Sequence, residues 1–142
     1  MINRYRNIIL DISVLITAPF ILMFGIYVIM FGHYSPGGGF QGGTILASVV
    51  ILMRLALGRK TTYKKFPPML GIILGAAGLL IYGGTGLVTL LAGGNFLDYS
   101  YLPLPLADAD RRYYGILFVE IGVAMCVFGT LLSIFDSLTR EK

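Results

Sequence analysis

Ile12-Ser13-Val14-Leu15-Ile16-Thr17-Ala18-Pro19-Phe20-Ile21-Leu22-Met23-Phe24-Gly25-Ile26-Tyr27-Val28-Ile29-Met30-Phe31 is a run of 20 residues without a charge. Coiled as a helix at about 1.5 Å per residue, it is long enough to cross a hydrocarbon core of roughly 30 Å. Pro67 to Leu97 forms a second uncharged run, of 31 residues. Two weaker runs complete the set: Phe40 to Leu57 is interrupted only by Arg54, and Tyr113 to Phe135 only by Glu120. The runs are continuous rather than alternating, which argues against membrane strands. With 56% of its 142 residues hydrophobic and 13% charged, the chain reads as an all-α integral membrane protein. A single domain over 1–142 is expected, with transmembrane helices at about 8–31, 40–57, 68–91 and 113–135.

The charges predict an orientation. Of the 11 Lys and Arg residues, Arg4, Arg6, Arg54, Arg59, Lys60, Lys64, Lys65, Arg140 and Lys142 flank the two termini and the middle connection, leaving only Arg111 and Arg112 in the third. By the positive-inside rule both termini are cytoplasmic, and a glycine-rich hinge between helices one and two faces outward. Topology therefore already explains the net charge of +4, and no nucleic-acid partner is expected. The basic start followed by an apolar run resembles a signal peptide, but the run is too long and lacks a small-residue cleavage site, so it is expected to stay as a helix. Cys126 and His33, the only residues of their types, leave no ligand set for zinc, haem or an iron–sulfur cluster, so no cofactor is expected in this chain.

Glycines punctuate the spans. The hinge reads Gly32-His33-Tyr34-Ser35-Pro36-Gly37-Gly38-Gly39-Phe40-Gln41-Gly42-Gly43, so poor in side chains that helices one and two can approach closely. It could in principle form an anion-binding nest, but no Lys or Ser/Thr follows in P-loop order. Pro19 predicts a kink in helix one. Gly71, Gly75 and Gly78 give helix three a smooth stripe for another helix, and Gly83-Gly84-Thr85-Gly86 predicts fraying or a bend. Gly115, Gly122 and Gly129 recur every seventh residue in helix four. At about 100° per residue Glu120 lies roughly 160° from Gly122, so helix four has two opposite faces that need non-lipid neighbours. Four helices have little interior to enclose both, which points to a larger membrane assembly.

Glu120 is the first candidate for chemistry. A charge facing lipid costs at least about 2.5 kcal/mol, so the carboxyl is expected to face protein or water, some 7 to 8 Å below the outer interface. There it could exchange a proton, or shed it to coordinate Na⁺ with nearby carbonyls; the simpler alternative is a hydrogen bond across a helix interface. His33 belongs to the same outer half and could relay protons to it, or merely cap helix-terminal backbone groups. Asp11 and Arg54 lie at comparable depth on the inner side. Either they pair, or Arg54 snorkels to the headgroups while Asp11 favours the positive end of its helix. Asp98, Asp108 and Asp110 make the third connection acidic, a solvated face by default. No residues are arranged as nucleophile and base.

The hinge, as G-H-x-x-P-G-G-G-F-Q-G-G, together with Val119-Glu120-Ile121-Gly122-Val123, resembles the MnhB/MrpB family of Mrp-type Na⁺/H⁺ antiporter subunits. The likeness covers length, four helices and the long third connection. It implies a small accessory subunit of a multi-subunit cation/proton antiporter in the prokaryotic cell membrane, with other antiporter subunits as partners and Na⁺ and H⁺ as transported ions. The same module is built into membrane-bound hydrogenase-type complexes, where a peripheral redox arm drives pumping. Carried over by position, it assigns interest to His33, Pro36 and Glu120. Two other readings stand beside it: a structural scaffold without ion contact, and a small multidrug exporter, against which the strong charge bias argues.

Overall fold

The computed structural model describes residues 8–32, 34 and 36–139. Five helices are present among them: α1 (Ile8–Met30), α2 (Gly39–Ala56), the single turn α3 (Arg59–Thr62), α4 (Pro68–Leu91) and α5 (Asp108–Leu138), with a short 3₁₀ turn at Tyr99–Tyr101. α1, α2, α4 and α5 are each long and apolar enough to cross a membrane. No strand occurs among the described residues. α1 continues as a helix through Pro19.

The long helices stand in a row, α1 against α2, α2 against α5, and α5 against α4. Among the described residues α4 makes no close backbone approach to α1 or α2. Glycine decides each seam, because without a Cβ two backbones can approach to distances that a side chain forbids. On the first, a Cβ at Gly25 would stand 2.8 Å from Leu46, and one at Gly42 would meet Ile29 and the Gly25 carbonyl. On the second, Gly39 lies on the Glu120 carbonyl and Gly43 on that of Ala124. On the third, Gly78 meets the Gly122 carbonyl, and Gly129 meets Gly71 and Gly75. Residue numbers rise together along α2 and α5, so these two central helices are parallel, while α1/α2 and α4/α5 are antiparallel. Ala47, Val50, Phe128 and Leu132 form the core between α2 and α5. Large side chains on α1, including Ile9, Phe20 and Met23, and on α4, including Leu79, Leu80 and Leu91, remain exposed at the flanks.

Three expectations need correction. α5 begins at Asp108 instead of 113, because Asp108 and Asp110 oppose the partial positive charge of its first turn. Arg111 adds bonds from Nη1 to the Ser100 carbonyl at 2.6 Å and from Nη2 to that of Leu106 at 3.0 Å. α4 stays helical through Gly83-Gly84-Thr85-Gly86. There Thr85 donates to the Ile81 carbonyl at 2.7 Å, and the Phe96 ring covers Gly86. Finally, the two special faces of α5 are both covered within the chain, the glycine face by α4 and the Glu120 face by α2.

Candidate functional site

The carboxyl of Glu120 reaches the start of α2. Its Oε1 would lie 2.9 Å from a Cβ at Gly32 and 3.3 Å from one at Gly38, so the acid rests against hinge backbone. Gly38 has φ 108°, a left-handed value that glycine adopts freely. That turn brings the Gly38 N–H to the Val28 carbonyl at 3.3 Å and starts α2 at Gly39. No side chain of its own caps α2. The first turn of a helix presents uncommitted N–H groups and a partial positive charge, and Glu120 brings a carboxyl to this end of α2 from another helix. Its Oε2 is shielded from solvent. The two motifs singled out in the sequence, hinge and helix-four acid, therefore meet through Gly32, Gly38 and Gly39. His33 lies outside the described residues. Pro36 and Gly37 are exposed.

The connection after α4 folds over the same end. Thr89 is fully buried and its hydroxyl donates to the Gly86 carbonyl at 2.9 Å while accepting from the Leu97 N–H at 3.0 Å. Asp98 accepts from the Ser100 hydroxyl at 2.7 Å and its N–H at 3.3 Å, an Asx turn. Tyr99 and Leu102 cover Gly115, so the first glycine of the seven-residue series packs against the loop rather than α4. Burial pushes the Tyr99 phenol above its usual range, and the charges of Tyr82 and Glu120 push it further. Tyr34 tilts against Tyr113 at 6.4 Å, and Tyr113 meets Tyr114 edge-on at 5.3 Å. Aromatic clusters of this kind suit a membrane interface.

At the opposite end of α2, Arg54 does not snorkel. It is 2% exposed, and Nη1 donates to Asp136 Oδ1 at 2.6 Å. It is Asp136, not the candidate partner Asp11, that the guanidinium holds. Nη2 donates to the Phe66 carbonyl at 3.1 Å, and the guanidinium lies 5.2 Å from the centre of the Tyr63 ring. Tyr63 also donates its hydroxyl to Asp136 Oδ1 at 3.2 Å. The turn at α3 places Tyr63 and Phe66: Gly58, with φ 86°, starts it, and buried Thr62 anchors it on the Met53 and Gly58 carbonyls. Asp136 and Tyr63 escape a reading of the sequence because Asp136 falls one residue past the apolar run, and only the parallel pairing of α2 with α5 brings it to Arg54.

The sequence of this chain matches a family described as a domain related to the MnhB subunit of Na⁺/H⁺ antiporter over residues 9–133. It is 31% identical to the Na⁺/H⁺ antiporter B-subunit of Bacillus subtilis (strain 168), over 99% of this chain and 98% of that protein. A putative antiporter subunit mnhB2 of Staphylococcus haemolyticus is 31% identical over 98% and 99% of the two chains. The Na⁺/H⁺ antiporter B-subunit of Alkalihalophilus pseudofirmus is 32% identical over 85% and 84%. Glycine seams that join four membrane-length helices, an acid from the last helix at the start of the second, and this likeness along nearly the whole chain agree: the protein belongs to the MnhB family of Na⁺/H⁺ antiporter subunits.

Proposed function

We propose that the chain is an accessory subunit of a multi-subunit Na⁺/H⁺ antiporter in the prokaryotic cell membrane, with its hinge end facing outward and Glu120 contributing to an ion path that adjoining subunits complete. The observation that carries this reading is the placement of the Glu120 carboxyl at the first turn of α2, against glycine backbone. An acid at that position can release its proton to water when a cation arrives to balance the carboxylate, and take a proton back when the cation leaves. The open row of helices supports the need for neighbours: a path along the hinge end would be closed by chains packed on the exposed flanks of α1 and α4. The aromatic cluster and the cation-rich α3 segment support the orientation. Replacing Glu120 by Gln in the intact complex tests the reading. Na⁺-dependent proton movement in inverted membrane vesicles should fall at least tenfold, with the complex still assembled on a native gel. Normal antiport with normal assembly would assign the carboxyl to a structural bond across the α2/α5 seam.

The scaffold reading is favoured by a separate observation, the two apolar flanks that a row leaves uncovered. The two roles are compatible, because a subunit that cements its neighbours also positions whatever acid it carries. Incorporation into a redox-driven complex is the other variant. Mass spectrometry of the gently solubilised assembly separates it: hydrogenase-like subunits would place the chain there, and antiporter subunits alone would place it in a free-standing exchanger.

A further inference from the structure

A groove of about 620 Å³ follows the seam of α4 and α5 on the side lined by Gly75, Ala76, Leu79, Cys126 and Ile134. Along α5 it extends from Cys126 to Leu138, which at about 1.5 Å per residue is roughly 18 Å. That is close to one leaflet, half of a hydrocarbon core of about 30 Å. The groove is almost wholly apolar. At the α3 end it adjoins a hollow of about 350 Å³, with Ile72, Ser133 and Ser137 lining both. Arg59, Tyr63 and Asp136 form the rest of that hollow's polar wall.

Two atoms there have unmet bonding capacity. Arg59 Nη2 and Asp136 Oδ2 are shielded from solvent, and neither has a hydrogen-bond partner. Leaving such charged groups unmatched is costly, so a ligand that supplies an acceptor to one and a donor to the other is strongly favoured. Oδ1 of Asp136 is already held by Arg54 and Tyr63. With two arginines against one carboxylate the cluster is net positive, and exposed Lys60, Lys64 and Lys65 add to the field. Basic pockets between membrane helices are the usual seats of anionic lipid headgroups.

We propose that the α4/α5 groove and the Arg59 hollow form a binding site for an anionic phospholipid with a hydroxylated headgroup, of the phosphatidylglycerol type, from the leaflet at the α3 end. One acyl chain lies along the glycine-lined groove. The phosphodiester accepts from Arg59, and a headgroup hydroxyl donates to Asp136 Oδ2. A leaflet-length trough ending in a half-buried cation with one shielded, unmatched N–H group fits this amphiphile. Free phosphate would leave the trough unused, and an apolar helix from another subunit would leave Arg59 and Asp136 unmatched.

Native mass spectrometry of the intact complex in mild detergent, titrated with phosphatidylglycerol and with phosphatidylcholine, tests the site. The unmodified protein should retain phosphatidylglycerol in preference. Arg59→Gln should weaken that retention about fivefold or more, the worth of one cation near an anionic headgroup, and Arg59→Lys should restore most of it. Ala76→Phe fills the groove from an exposed position and should exclude the lipid while the complex stays assembled. Retention of phosphatidylglycerol by Arg59→Gln at the unmodified level would overturn the proposal. So would a photoreactive residue at position 76 that crosslinks to protein instead of lipid.

Discussion

Arg54 and Asp136, 82 positions apart in the chain, meet at 2.6 Å where the parallel helices α2 and α5 end side by side. Their side chains are 1% and 11% exposed, so the pair is withdrawn from water almost completely. Glu120 and the first turn of α2 meet at the other end of the same two helices. The central seam thus carries an ion pair at one end and the Glu120 carboxyl against hinge backbone at the other, and between them it packs on glycine, Ala47, Val50, Phe128 and Leu132.

Asp136→Ala strands a buried guanidinium, and breaking such a pair costs about 3–5 kcal/mol because the remaining charge is uncompensated. The double replacement Arg54→Met with Asp136→Leu removes both charges and should cost much less. Thermal inactivation of the purified complex, compared across the single and double variants, reads the difference. Equal losses for the single and double variants would mean that the pair is not what holds this end.

The glycine seams predict a graded response to one methyl group. At Gly39 a Cβ would run into the Glu120 carbonyl, whereas at Gly75 the nearest atom is 3.9 Å away. Gly39→Ala should therefore force α2 from α5, with the roughly 1–3 kcal/mol penalty of overpacking and a visible loss of assembled complex. Gly75→Ala should be nearly neutral. Expression and assembly levels of the two variants decide it, and similar behaviour would contradict the close approach at Gly39.

Much of this arrangement can be read from the sequence, and the limit has a physical cause. Uncharged runs specify spanning helices because backbone groups in lipid must bond within their own segment. Glycine spacing likewise shows that α4 and α5 carry smooth faces. Neither signal says which helices are neighbours. The pairing of Arg54 with Asp136 rather than Asp11 follows from α5 lying between α2 and α4, a tertiary choice that periodicity within one helix cannot express. The early start of α5 escaped for a related reason: Asp108 and Asp110 look like loop residues until the helix end that they stabilise is known. Gly25, in the middle of the first run, showed no repeat to mark it, although it sets the α1/α2 seam.

Thr89 is the buried clasp between α4 and the connection that follows. Its hydroxyl accepts from Leu97, whose φ of 62° is unusual for a residue with a branched side chain. Thr89→Val keeps the volume but loses the clasp, leaving a backbone N–H unmatched at about 1–3 kcal/mol. Limited proteolysis between Gly93 and Leu106 should speed up in this variant and leave the spanning helices intact. Leu97→Gly made in the same background should recover part of the loss by relieving the backbone; unchanged cleavage in both would remove Thr89 from this role.

Tyr99 gives the loop a pH response whose sign follows from its surroundings. Its phenol is raised above the usual value of about 10, first by burial and then by Tyr82 and Glu120. The folded loop therefore binds this proton more tightly than the unfolded chain. The resulting stabilisation is fully present below about pH 10 and is lost as pH rises through the folded value. Hydrogen exchange of loop amides across the alkaline range should show the loop loosening there. Tyr99→Phe keeps the ring against Gly115 but carries no proton, so its loop should show a weaker alkaline transition. Only the difference between the two proteins belongs to Tyr99. An identical transition in the variant would show that ionisation of this phenol does not govern the loop.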